Sequence, residues 1–448
     1  MRTSGWATRT RIDGGRLLNR VPILAAVVIA VVIQQRPGTT VVIELPDDDV
    51  LLDGSLSIVV SGLTPKAVIT LRARSSATDN PWTSSATFTA DAAGRVDLGR
   101  MAPDAGSYKE VGPMGLFWSA SRVSADEAAL SDESSTAATA ETWTLSAESG
   151  GAVVATATIR RRAVAPGVRL TPVRVNGLVG VFYEPAQPGR HPAFLVLGGS
   201  GGGVPPPLGP AGGLASHGYA VLALAYFGAP GLPRTLSNIP LEYFATALQW
   251  MSAQPSVDRS RVGVLGLSRG AELALLLGTI YSDFHAVVAY MPSNVIVRGC
   301  CDAGTPVAWT LGGRAVAPAP VAPMRRSMTV DRPEIPVERI NGAVLLISGR
   351  DDEVWPSTEM AEDIMARLRQ RRFAHEFVHL AYEHAGHGIG RPFTSTMELN
   401  SRRHPLTGRI VRMGGTPSGT ARARADSWRR MLAFADEHLR DSANSGRH

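Results

Sequence analysis

Lysine is almost missing from this chain. Among 45 basic residues only Lys66 and Lys109 are lysines, so the net charge of +6 is carried by arginine. The arginines are scattered, with no basic stripe and no interleaved aromatics, which argues against a nucleic-acid reader. An anionic small molecule suits the charge better, although codon preference accounts for arginine in place of lysine equally well. Cysteine is as scarce: Cys300 and Cys301 are the only two, and they are adjacent. Neighbouring cysteines rarely pair, and no disulfide framework or metal-ligand spacing exists, so neither a metal nor another cofactor is expected. Hydrophobic residues make up 44% and charged residues 19%, a globular composition that excludes a disordered chain.

The first forty residues differ in kind from the rest. Arg2, Arg9, Arg11, Arg16 and Arg20 lead into the apolar run Val21 to Ile33, which stops at Gln34-Gln35-Arg36-Pro37. The run is short for a spanning helix, and no small-x-small cleavage site follows it. Residues 1–44 therefore read as a signal-like segment, a membrane anchor touching the bilayer through residues 21–33, or sequence upstream of the true start.

A chain of 448 residues predicts two domains. Residues 45–162 read as all-β. Leu56 to Val60, Val68 to Arg74, Ser85 to Ala90, Thr142 to Leu145 and Val153 to Ile159 are short runs rich in β-branched residues, divided by turn signals, as in a β-sandwich. Nothing in this part suggests chemistry. Residues 168–442 change texture, and 443–448 form a tail. Ala193 to Leu197, Tyr219 to Ala225, Val262 to Leu265, Ala286 to Tyr290 and Gly342 to Ser348 are continuous apolar runs of the kind buried on both faces of a parallel sheet. Helical spacing near Gly212 to His217, from Ile239 to Ala253 and from Ala271 to Leu277 alternates with them, which predicts an α/β domain with a mostly parallel sheet. Arg298 to Pro336, Gly/Pro-rich and aperiodic, reads as an excursion forming a lid or pocket wall.

The polar motifs fall after these strands, where ligands sit in such sheets. Gly266-Leu-Ser-Arg-Gly270 lies between a strand and a helix, which makes Ser268 the expected nucleophile on a sharp turn. A hydroxyl needs a base, and in this context the order is serine, acid, histidine. Asp351 and Asp352 follow the late strand ending in Gly349, and the third position after the glycine favours Asp352. His379, His384 and His387 follow in turn. His379 falls within the last strand as a packing residue, and His387, between Gly386 and Gly388, is freer to reach Ser268 than His384 is. The N–H of Arg269 is one expected oxyanion donor, and Gly199 or Ser200 in the glycine-rich turn Gly198 to Gly203 is the other. That turn lacks the lysine and spacing of a phosphate loop.

Taken together, Thr70-Leu-Arg-Ala-Arg74, Pro113-Met-Gly-Leu-Phe-Trp118, Leu241-Glu-Tyr-Phe244, Gly263 to Leu273, Ile335-Pro-Val-Glu-Arg339 and Gly349-Arg-Asp-Asp-Glu-Val-Trp355 resemble, in order, the acyl-CoA thioesterase and bile acid-CoA:amino acid N-acyltransferase family. The resemblance runs from about Leu45 to Leu439. It implies an N-terminal immunoglobulin-like sandwich, a C-terminal α/β hydrolase and acyl transfer from an acyl-CoA partner through an acyl-enzyme. Ser268, Asp352 and His387 match its triad. Its conjugating branch characteristically carries cysteine as nucleophile, so Ser268 favours hydrolysis over N-acyl transfer, with carboxylesterase or dienelactone-hydrolase-like chemistry as the alternative. A CoA substrate favours the cytoplasm, and the N-terminal segment favours membrane or export.

Overall fold

Apolar residues that alternate along buried strands feed the two faces of a sheet, and here they build a core on each side. The computed structural model describes residues 40–76, 80–123, 139–205, 209–301, 307–316 and 334–440. The apolar run 21–33 lies outside them, as do 302–306 and 317–333 of the Gly/Pro-rich excursion. Among the described residues no helix is long and apolar enough to cross a membrane.

The larger part is an eight-stranded sheet in the order Arg169–Val175, Leu178–Glu184, Ala220–Ala225, His191–Leu197, Val257–Leu267, Phe284–Tyr290, Ala343–Gly349 and Phe377–Tyr382. The last six strands run parallel, and the first two form an antiparallel hairpin on one edge. Asn176 and Gly177 join that hairpin with φ of 52° and 78°, the pair of positive values that a two-residue turn between twisted strands requires. Every residue of Ala220–Ala225 and Ala343–Gly349 is buried, as the continuous apolar runs anticipate. Leu195, Leu222, Val264, Val287 and Leu346 face one core with helices Glu242–Ser252, Arg269–Ile280 and Ser357–Gln370. Phe194, Val221, Leu265, Val288 and Leu345 face the other with Pro210–Ser216 and Pro417–Leu439. This is the α/β-hydrolase arrangement, with helices on both faces of a mainly parallel sheet.

Upstream lies a β-rich region. A three-stranded sheet (Val42–Glu44, Val59–Ser61, Val96–Asp97) and a seven-stranded sheet containing Val68–Ser75, Trp82–Thr89, Ala140–Ser149 and Ala152–Arg162 share one apolar core that includes Val60, Val96, Leu71, Phe88 and Leu145. The run Leu56 to Val60 is strand only from Val59, although Leu56 and Ile58 are buried. The helix expected from Ile239 starts at Glu242, because Ile239–Pro240 pairs instead with Trp309–Leu311. That strand belongs to the Gly/Pro-rich excursion, whose Trp309 is fully buried.

The β-rich region is joined to the sheet by polar contacts. The Arg161 guanidinium is buried, stacks 4.4 Å from the Phe117 ring centroid, and donates to the carbonyls of Leu52 at 3.1 Å and Phe393 at 2.8 Å. Asp53 accepts from the Trp428 indole and the His217 ring, both at 2.7 Å.

Candidate active site

Strand Val257–Leu267 ends where helix Arg269–Ile280 begins, and Ser268 occupies the single residue between them. Its φ of 56° and ψ of −117° lie where a residue with a Cβ is strained, a conformation that exposes a side chain above the sheet. The flanking glycines are required sterically. A Cβ on Gly266 would run into the Gly270 carbonyl, and one on Gly270 into the carbonyls of Leu197 and Gly198. Arg269 opens the helix, so its N–H has no intrahelical acceptor. The Arg269 side chain turns inward, forming a buried ion pair with Glu272 at 3.0 Å and donating to the carbonyls of Val297 and Arg298. Trp309 Nε1 donates to the same Glu272 at 2.8 Å, and burial raises that carboxyl.

Three residues named from the sequence meet at the carboxyl ends of the parallel strands. His387 Nε2 lies 2.8 Å from Ser268 Oγ, and His387 Nδ1 lies 2.8 Å from Asp352 Oδ2. The Asp352 carboxylate also accepts from the N–H groups of Val354 and Trp355 at 2.9 and 3.2 Å and from the Ser357 hydroxyl at 2.6 Å. With the carboxylate as acceptor throughout, His387 Nδ1 donates and Nε2 is left to accept the Ser268 proton. The Asp352 and His387 side chains are 1% and 6% exposed, so the chain of bonds is shielded from water. Trp355 sets its ring edge-on to His387, centroids 5.3 Å apart.

The alternatives lie elsewhere. Asp351 and His384 approach each other at 3.6 Å with side chains 48% and 64% exposed. His379 accepts or donates to Ser348 Oγ at 2.8 Å inside strand Phe377–Tyr382, and burial lowers its pKa. Gly199 borders Ser268: a Cβ there would lie 3.3 Å from Ser268 Cβ. Its turn is fixed by the Tyr226 hydroxyl donating to the Gly198 carbonyl at 2.6 Å and by Gly203 N–H donating to Phe227 at 2.8 Å.

Residues that sequence reasoning passed over hold these loops. Gly414 and Gly415, at φ of 73° and 70°, bridge to Asp352 and Ala385, and the His387 N–H donates to the Met413 carbonyl at 2.6 Å. Arg424, buried in helix Pro417–Leu439, donates to the carbonyls of Gly388, Thr394 and Ser395, and burial pushes its pKa down to about 9. His404 approaches Ser200 Oγ at 3.1 Å. Only the Gly-Gly pair carried a signal in the sequence, as a turn.

Comparison with known proteins agrees with the order of these features. The family model for the acyl-CoA thioester hydrolase/BAAT N-terminal region matches residues 53–175, and that for the BAAT/acyl-CoA thioester hydrolase C terminus matches residues 239–441. Acyl-coenzyme A thioesterase 1 of Rattus norvegicus is 30% identical over 406 residues, covering 86% of this chain and 94% of that one. Mitochondrial acyl-coenzyme A thioesterase 2 of Mus musculus is 30% identical over 427 residues, 90% of each chain. Among solved structures, the acylaminoacyl peptidase of Pyrococcus horikoshii aligns with a TM-score of 0.40 and 14% identity, covering 68% of this chain and 49% of that one. With both family models matched in order and relatives similar along nearly their whole length, the chain belongs to the acyl-CoA thioester hydrolase/BAAT family.

Proposed function

We propose that this protein is a serine-dependent acyl-CoA thioesterase, releasing a free fatty acid and CoA. The observation that carries the reading is the buried hydrogen-bonded chain Ser268–His387–Asp352. As Ser268 Oγ attacks the thioester carbonyl, His387 Nε2 takes its proton, and the Asp352 carboxylate steadies the imidazolium. The negative charge on the carbonyl oxygen is held by the Arg269 N–H and by an N–H of Gly199 or Ser200, at the positive end of helix Arg269–Ile280. Collapse breaks the C–S bond, and His387 returns the proton to the CoA thiolate. Water, deprotonated by His387, then attacks the acyl-Ser268 ester; the C–Oγ bond breaks, His387 returns the proton to Ser268 Oγ, and the acid is freed. Every role is filled by a side chain or backbone group of this chain. Serine as the attacking atom favours water over an amine as the second acceptor.

The reading includes the division into an immunoglobulin-like sandwich over residues 45–162 and a catalytic domain over 168–442. The shared core of the two upstream sheets supports it.

Ser268→Ala is expected to lower kcat by about three orders of magnitude or more. Brief exposure of the wild type to acyl-CoA adds the acyl mass to Ser268, read by intact-protein and peptide mass spectrometry. Ester cleavage without CoA release at any chain length would overturn the thioesterase reading. Amide formation with added glycine or taurine, outpacing hydrolysis, would replace it with acyl transfer.

A further inference from the structure

Ser200 carries a hydroxyl as well as a backbone N–H, and the hydroxyl is held from behind. Short strands Arg402–Arg403 and Ile410–Val411 pair as a hairpin, and His404 begins its turn. His404 N–H donates to the Arg409 carbonyl and its own carbonyl accepts from Gly408 N–H, both at 2.8 Å. The N–H groups of Leu406 and Thr407 both reach His404 Nδ1 at 3.3 Å. Two donors converging on Nδ1 require its lone pair, so the ring proton sits on Nε2. Nε2 lies 3.1 Å from Ser200 Oγ and therefore donates to it. Ser200 Oγ, having accepted that bond, keeps its own proton to give elsewhere. Burial lowers the His404 pKa, which keeps the ring neutral and this tautomer in place.

The hairpin is seated on the glycine turn by a second contact. A Cβ on Gly201 would lie 3.2 Å from Pro405 Cγ, so the proline packs directly on the turn's backbone. On the other side the Cys301 thiol donates to the Ser200 carbonyl at 3.6 Å. Ser200 is partly accessible and adjoins Gly199, which borders Ser268.

We propose that His404 is a positioning residue whose Nε2–H orients the Ser200 hydroxyl, so that this hydroxyl donates a hydrogen bond to the oxyanion formed on the thioester carbonyl. Ser200 thereby adds a side-chain donor to the backbone donors, and His404 acts only through it. The inference rests on Ser268 being the nucleophile, which acyl capture by the wild type tests separately. If the wild type neither releases CoA nor captures acyl on Ser268, it is that reading which fails.

The test compares kcat and KM for Ser200→Ala, His404→Ala, the double variant and His404→Gln, with acyl-CoA as substrate. Loss of one oxyanion donor predicts a fall in kcat of roughly 100- to 1000-fold for Ser200→Ala with KM within about threefold. His404→Ala shares that loss, and adding it to Ser200→Ala lowers kcat by no more than about twofold further, because both act through one bond. His404→Gln is expected within about threefold of wild type, since an amide can accept from the turn and donate to Ser200. Wild-type kcat in Ser200→Ala, losses that multiply in the double variant, or an effect confined to KM would each overturn the proposal. Ser200→Ala removes a single hydroxyl and His404→Gln keeps both bonds, so these two decide the matter even if His404→Ala fails to fold.

Discussion

Two carboxylate–imidazole pairs stand side by side in sequence, and water separates their roles. Asp351 and His384 meet at 3.6 Å in solvent, where such a pair contributes between zero and about 1 kcal/mol. Asp352 and His387 meet at 2.8 Å behind Trp355, in a setting where each bond is directional and unscreened. His384 has a positive φ of 60°, and its side chain is left in solvent. His387→Ala is therefore expected to lower kcat by about three orders of magnitude or more, as Ser268→Ala does, while His384→Ala stays within about twofold of wild type. Steady-state CoA release measures both. Equal losses in the two variants would show that the base has been assigned to the wrong histidine.

At the level of elements, the site is a meeting of loops that leave no room for side chains. The Ser268 turn needs Gly266 and Gly270, and the histidine loop needs Gly386, whose Cβ would strike the carbonyls of Met413 and Gly414. Moving that loop drags His387 with it, because the Met413 carbonyl accepts its N–H. Gly386→Ala should fold, since the clash is confined to two loops. It should lose about 100-fold in kcat, the scale expected when a catalytic group is displaced by about 1 Å. Circular dichroism and kinetics on one sample check this, and wild-type kcat would show that the loops yield freely. Arg424 fastens the same loop from helix Pro417–Leu439 through three carbonyls. Its planar fork of donors does what a lysine ammonium could not, which gives one local reason for arginine in this chain.

Across the whole molecule, the β-rich region reaches the catalytic sheet through buried polar groups. Burial pushes the Asp53 carboxyl up, but the bonds from His217 and Trp428 and the charge of Arg391 outweigh it, so its pKa is lowered. A lowered carboxyl pKa stabilises the fold above the unfolded value near 4, and that contribution disappears as pH falls through the folded value. Asp53→Asn is accordingly expected to lower the unfolding midpoint at pH 7 by about 2–5 °C. The gap to wild type should narrow only below about pH 4. Thermal melts at pH 5 and 3 follow the difference below the range in which the His217 ring gains its charge, and a gap that widens between them would contradict the assignment.

The α/β class of the larger part, its alternation of strands and helices, and the chain order of Ser268, Asp352 and His387 after successive strands were legible in the residues, because each depends on local periodicity or on turn chemistry within a few positions. Ser268 is the clearest case: its glycines are needed by contacts with the neighbouring strand and helix, so the local pattern implies its geometry. The choice of His387 over His384, by contrast, rested on its place in the loop and on the glycines at 386 and 388 beside it. What separates them physically is burial behind Trp355 and the support of Met413, Gly414 and Gly415, which the chain brings back from beyond the histidine loop. The edge hairpin Arg169–Glu184 and the Trp309 strand went unread, since short strands paired at a sheet edge or with a distant partner leave little periodic trace. Arg424, His404 and the Asp53 contacts left none at all. Each acts across tens to hundreds of residues, where sequence order carries no distance and packing alone sets who is near whom.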